Sequence, residues 1–148
     1  MSTQTRPRTL FQRNASWMRV CEFVGGLSPM DKHDLAMKGA SVRLWRDVLG
    51  SYKDLNAPLR KSLKIHPGSH SKENASHLRR SQTEYLLDLV DVTQKATEIF
   101  GSREIAEAWL INPVIALNGH IPIELLGSRL GSIAVREYLI QVDHGVYT

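Results

Sequence analysis

Cysteine is nearly absent from this 148-residue chain: Cys21 stands alone. No disulfide can form within the chain, and a reducing cytoplasm is the expected setting. Long hydrophobic runs are missing as well. No apolar stretch approaches the roughly 18–20 residues that cross a bilayer, so neither a membrane span nor a membrane partner is expected. The opening MSTQTRPRTLFQRN is basic and lacks the apolar centre of a signal peptide. Two Asn-x-Ser sequons, at Asn14 and Asn74, fit chance occurrence. No glycine-rich phosphate loop follows a strand-like segment. His33, His120 and His144 have no nucleophile at a recognisable spacing, so an enzyme is not expected. His66, His70 and His77 are spaced for one helical face, but Pro67-Gly68 interrupts that face and no cysteine or carboxylate completes a tetrahedral set. No metal and no cofactor are expected.

What the chain does have is a division of charge. Met1–Ser81 carries 15 Lys/Arg against 6 Asp/Glu, a net of +9, while Gln82–Thr148 carries 4 against 9, a net of −5, and the two sum to the formal +4. A basic half attracts a polyanion, most often nucleic acid, although scattered cations also serve solubility alone. The acidic half would be repelled by DNA and suits a different partner. With 42% hydrophobic residues the chain has enough apolar material for a core.

The expected organisation is all-α. Residues 1–13 read as a flexible basic N-terminus. From 14 to 80 the expectation is a helical, DNA-binding region. Asn14 or Ser16 caps a first helix with Trp17, Val20, Cys21 and Val24 at helical spacing. Ser28-Pro29, with Asp31 in the first turn, starts a second helix that Gly39 stops. Ser41–Leu49 follows, closed by Gly50. Trp17 and Trp45 are core residues in this reading. Asp54–Ile65, with Leu55, Leu59 and Leu63 every fourth residue, forms the first half of a helix-turn-helix. The second element falls between Ser69 and His77. Its polar side chains Ser69, His70, Lys72 and Asn74, flanked by Lys64, Arg79 and Arg80, are the candidate DNA contacts.

Residues 81–101 form a long connecting helix. Ser81 and Glu84 make a capping box and Gly101 ends it. Tyr85, Leu89, Val92, Ala96 and Ile99 set an apolar stripe that Leu86, Val90 and Phe100 widen, broad enough for a homodimer seam beside the core. Residues 102–148 form a small helical domain. Ser102 caps a helix with Ile105, Ala108 and Trp109 inside, halted by Asn112-Pro113. Pro122 opens a one-turn helix that Gly127 ends. A last helix spans Ser132–Val142, with Val135, Leu139 and Val142 facing inward, and Gly145 releases the tail. This stretch holds no catalytic constellation and reads as a surface on which a partner docks.

The wording of that stretch is specific. It runs Trp109-Leu110, Asn112-Pro113, Ala116-Leu117, then Gly119-His120-Ile121-Pro122-Ile123-Glu124-Leu125-Leu126, then Gly131, Val135, Leu139 and Val142-Asp143-His144-Gly145-Val146. Ala96–Gly101 belongs to the same pattern. From about Leu78 onward the chain resembles the Xre/MbcA/ParS antitoxins. Over Gly39–Asn74, where their Xre (Cro-like) helix-turn-helix would lie, Leu63-Lys64-Ile65-His66 departs from the usual turn and no recognition phrase follows.

The resemblance implies a type II antitoxin that neutralises a RES-domain, NAD-consuming toxin through its C-terminal domain and represses its own operon through its N-terminal one. It implies as partners that toxin, operator DNA and a second copy in a homodimer. Asn112, Gly119, His120, Pro122, Glu124, Arg136, Asp143, His144, Gly145, Val146 and Tyr147 are the expected toxin contacts, with the tail plugging the toxin's nucleotide pocket. The alternative is a stand-alone helix-turn-helix regulator whose C-terminal block only dimerises.

Overall fold

A computed structural model describes residues 9–53, 55, 58, 61–62 and 77–145, with the side chain of Phe11 excepted. The architecture among them is all-α: seven α-helices, one 3-10 turn and no strand. The helices are α1 Leu10–Gly25, α2 Pro29–Lys38, α3 Val42–Ser51, α4 Arg80–Phe100, α5 Arg103–Leu110, α6 Pro122–Leu125 and α7 Arg129–Asp143, and the 3-10 turn is Ile115–Leu117. None of them is long and apolar enough to cross a membrane.

Local capping chemistry sets most boundaries. Ser28 accepts from the Asp31 amide while Asp31 accepts from the Ser28 amide, at 3.1 and 2.9 Å, with Pro29 in the first turn. The backbone hydrogen bond from Ser28 holds the Asp31 carboxyl below its usual range. Ser41 and Ser102 cap α3 and α5 without the return bond, accepting from the Leu44 and Ile105 amides at 3.2 Å each. Gly101 ends α4 in the left-handed conformation.

Four boundaries differ from the sequence reading. α1 begins at Leu10, capped reciprocally by Thr9 and Gln12, so Asn14 and Ser16 are helical residues. Gly50 lies inside α3, which runs on to Ser51. α4 starts at Arg80, with Gln82 Oε1 accepting from the Arg79 amide at 2.9 Å. Ser81 is therefore already helical, and Glu84 pairs with Arg80 at 3.1 Å. α7 starts at Arg129 because Ser128, not a later residue, accepts from the Gly131 amide at 3.0 Å. The helix-turn-helix expected over 54–77 falls largely outside the described residues; within it Pro58, Lys61 and Ser62 are helical.

α4 is the axis of the molecule and touches α1, α2, α3, α5 and α7. Leu86, Leu89, Val90 and Ala96 are fully buried in one continuous core with Val24, Val48, Leu110, Val135 and Leu139. The wide apolar stripe is thus consumed within the chain. The exposed positions Ser81, Glu84, Lys95 and Glu98 are polar, which leaves no apolar seam on α4 for a second copy.

Buried threonines tie the N-terminal helices to this axis. Thr83 Oγ1 accepts from the Ala40 amide at 2.9 Å and donates to the Arg79 carbonyl at 3.0 Å. Thr93 Oγ1 donates to the Leu89 carbonyl at 2.7 Å, so the Tyr52 hydroxyl, 2.8 Å away, must be the donor to Thr93. Burial pushes the Tyr52 phenol far above its ordinary range. Tyr52→Phe is expected to cost about 1 kcal/mol, the net value of one buried hydrogen bond, in a urea titration. A shift indistinguishable from zero would show that Thr93 finds another donor.

Candidate functional site

The C-terminal surface is built on α4. α5 lays Ala106 and Leu110 into the core, while Ile105 and Ala108 face outward. This reverses the expected orientation of Ile105 and Ala108: a helix of eight residues has two flanks of similar apolarity, and packing against α4 chose between them. Trp109 is partly buried as expected, stacked at 6.0 Å on Tyr138 of α7 and 5.5 Å from Phe100. Beyond α5 the chain makes a tight knot. The Asn112 side-chain Nδ2 donates to the Ala108 carbonyl at 2.6 Å, finishing α5. The Val114 amide donates to the His120 carbonyl at 3.1 Å, and Asn118 and Gly119 close the loop with φ of 56 and 76°. α6 then drives Pro122, Ile123 and Leu126 inward, and the Tyr85 hydroxyl fastens it by donating to the Ile123 carbonyl at 2.7 Å.

α7 divides cleanly. Gly131, Ser132, Val135 and Leu139 face the core. At 100° per residue, Leu130, Ile133, Glu137, Ile140 and His144 fall on the opposite side. Leu130 is 78% exposed, Ile133 42% and Ile140 49%. Ile115, on the 3-10 turn that packs beside α7, is almost wholly exposed. Half-exposed aliphatics gathered on one helix face cost water contacts unless something covers them.

A polar groove of about 600 Å³ separates α7 from α2 across α4. A connected chain of groups crosses it. Lys32 pairs with Asp91 at 3.1 Å, Asp91 lies 3.7 Å from Arg136, Arg136 pairs with Asp88 at 2.6 Å, and Asp88 accepts from Ser132 at 3.0 Å. These groups bridge the N-terminal helices to the C-terminal domain. Sequence reasoning did not single out Asp88 and Asp91; their three-residue spacing within the apolar run Tyr85–Val92 was the available signal.

The expected toxin contacts therefore divide. Asn112, Gly119, His120, Glu124, Asp143, His144 and Gly145 are exposed, with Asp143 beside Lys95 at 3.6 Å and Glu124 3.9 Å from Lys61. Pro122 is buried, and Arg136 is held in the ion pairs just described. Val146 and Tyr147 lie outside the described residues. So do the expected DNA contacts Lys64, Ser69, His70, Lys72 and Asn74; Arg79 and Arg80 are exposed at the start of α4, the latter paired with Glu84.

The residue that sequence reasoning passed over entirely is Arg103. Its guanidinium lies 4.3 Å from the centre of the Trp17 ring and 5.1 Å from that of Tyr52. It donates to the Ser51 carbonyl and pairs with Glu107 at 3.4 Å. Burial lowers its pKa, and its Nε is buried without a hydrogen-bond partner. One side chain thus joins α5 to α1 and to the end of α3. Only the pair with Glu107, four residues on, is local; Ser51, Tyr52 and Trp17 are far away in the chain, so the sequence around Arg103 does not announce this.

No curated protein matches the chain. Residues 95–145, 51 of the 148, match the family model of the antitoxin Xre/MbcA/ParS C-terminal toxin-binding domain, a finding that supports a toxin-binding antitoxin of a toxin–antitoxin system and falls on the segment that carries α5, α6 and α7.

Proposed function

We propose that this chain neutralises a RES-domain, NAD-consuming toxin by covering its active site, and that its basic N-terminal half represses the shared operon. The observation that carries the toxin-binding part is the outward face of α7. Leu130, Ile133 and Ile140 stand exposed inside the matched segment, on a helix whose other face is fully engaged in the core. Such a face fits the apolar centre of an interface burying about 800 Å² on each partner. Glu137 adds a negative charge to it, while Asp143 and Glu124 stand beside Lys95 and Lys61. The protein's role in this reading is occlusion; the chemistry belongs to the toxin.

The test is co-expression with a RES-domain toxin. Ile133→Asp combined with Ile140→Asp is expected to weaken the complex about a hundredfold, as for the loss of central interface anchors, while helical circular dichroism stays unchanged. Deleting His144–Thr148 should restore toxicity. Retained neutralisation after both changes would place the contact elsewhere. Operator binding by a chain with which no RES-domain toxin co-purifies would favour the stand-alone regulator. For the DNA-binding part, replacing Lys72, Arg79 and Arg80 should flatten the salt dependence of operator binding.

A further inference from the structure

The polar groove between α2 and α7 shares a wall with the exposed aliphatic face of α7. Ile133 belongs to both: it is 42% exposed and lines the groove, as does Arg129 one turn earlier. At 100° per residue, Arg129, Ile133 and Ile140 stand within about 40° of one another, and Arg136 comes next on the groove side. The aliphatic row thus runs directly into the groove. The opposite wall is α2, which presents Lys32 and His33 and lies outside the segment that matches the toxin-binding domain.

The charges of the groove are spent unevenly. Each of its three carboxylates has a cation: Glu84 has Arg80, Asp88 has Arg136 and Asp91 has Lys32. His33 and Arg129 are exposed, and among the described residues neither side chain has a hydrogen-bond or ionic partner. The groove therefore still offers one nitrogen donor from each wall and no unmatched carboxylate. An occupant that suits it brings oxygen acceptors, carboxylates above all. A docked protein also needs more surface than α7 gives. A stable interface draws on about 20–30 residues a side, whereas the exposed large aliphatics of α7 are Leu130, Ile133 and Ile140 alone. The groove is the adjoining concave surface, and at about 600 Å³ it has room for a short loop.

We propose that a carboxylate-bearing loop of the toxin enters this groove beside the aliphatic face of α7, so that His33 on α2 and Arg129 on α7 are both toxin contacts. The inference rests on the toxin reading above and adds to it: the interface extends past the matched segment onto the N-terminal half. The toxin then bridges α2 and α7, and the matched segment by itself lacks one wall of the site.

The experiment titrates the full chain against the RES-domain toxin by isothermal calorimetry. His33→Glu and Arg129→Glu are each expected to weaken binding about tenfold or more, because a like charge then faces the toxin's carboxylate. The same reversal away from the groove, Arg46→Glu on the exposed side of α3, should change the affinity by less than about twofold at physiological salt. Thermal midpoints check the fold. Should a reversed charge lower one, His33→Ala and Arg129→Ala carry the test, with losses in the same direction. The outcomes separate the two readings. If Ile133→Asp with Ile140→Asp weakens the complex while His33→Glu behaves like Arg46→Glu, the toxin reading stands and the groove proposal falls, whatever Arg129→Glu does. If the isoleucine pair leaves binding intact, the toxin reading of α7 falls and takes the groove with it.

Discussion

Replacing Arg103 by methionine is expected to lower the unfolding free energy by about 3 kcal/mol, the size of effect seen when one member of a buried ion pair is removed. The side chain is 18% exposed and its partner Glu107 17%, so the pair is largely shielded from water. The substitution leaves the Glu107 carboxylate without this pair and the Ser51 carbonyl without this donor, and it removes a cation from above two aromatic rings. Arg103→Lys should recover little, because a tetrahedral ammonium cannot lie flat on Trp17 while reaching the Ser51 carbonyl. Arg103→Met combined with Glu107→Met should recover part of the loss, since no charge is then left buried. Urea titrations of the three variants decide the matter. A single-variant loss under about 1 kcal/mol would mean that the contact contributes no more than an exposed pair. The consequence reaches function: Arg103 belongs to the segment that matches the toxin-binding domain, whereas Trp17, Ser51 and Tyr52 lie outside it. The N-terminal helices are thereby fastened to the matched segment.

Gly131→Ala is expected to destabilise the protein by about 2 kcal/mol or more, in the range of overpacked cores. Helix propensity alone argues the reverse, since alanine inside a helix is favoured over glycine by about 1 kcal/mol. The surroundings decide the sign. A Cβ on Gly131 would sit 2.1 Å from the Leu125 carbonyl oxygen and 2.8 Å from Ser128 Oγ, the very atom that caps α7. Backbone cannot give way as a flexible side chain can, so α6 and α7 would have to separate. Thermal unfolding should show a lowered midpoint, and toxin binding should weaken with it because α7 shifts. An unchanged or raised midpoint would mean that the α6–α7 turn relaxes freely. Gly39 poses the same problem at the other end, with an added Cβ 2.2 Å from the Leu78 carbonyl oxygen.

These two residues show where sequence reading stops. Gly131 is part of the pattern that carries the resemblance, yet nothing beside it in the sequence marks a close approach, and Gly127 has no comparable contact within 3 Å. The close approach comes from a carbonyl in a different helix. By contrast Ser28-Pro29, Ser41, Ser102, Pro122 and Gly101 were legible, because a cap is a contact between residues three or four apart. Where two candidate caps stood close together, local chemistry could not choose. Ser81–Glu84 and Arg79–Gln82 both offer a start for α4. The earlier one prevails where the Leu78 amide bonds the Ala40 carbonyl at 2.7 Å and Thr83 is turned inward to meet the Ala40 amide.

The sequence by itself determined the all-helical class, the existence and rough extent of the seven helices, the opposition of a basic and an acidic half, and the resemblance that the matched segment supports. Each of these rests on periodicity, composition or short-range order. Only the tertiary structure decided that the stripe of α4 is spent inside the chain, that Arg103 and the Asp88–Asp91–Arg136 network bind the two halves together, that Pro122 and Arg136 turn inward, and that Leu130, Ile133 and Ile140 turn out. Those outcomes depend on which helix packs against which face, and residues far apart in the chain settle that together.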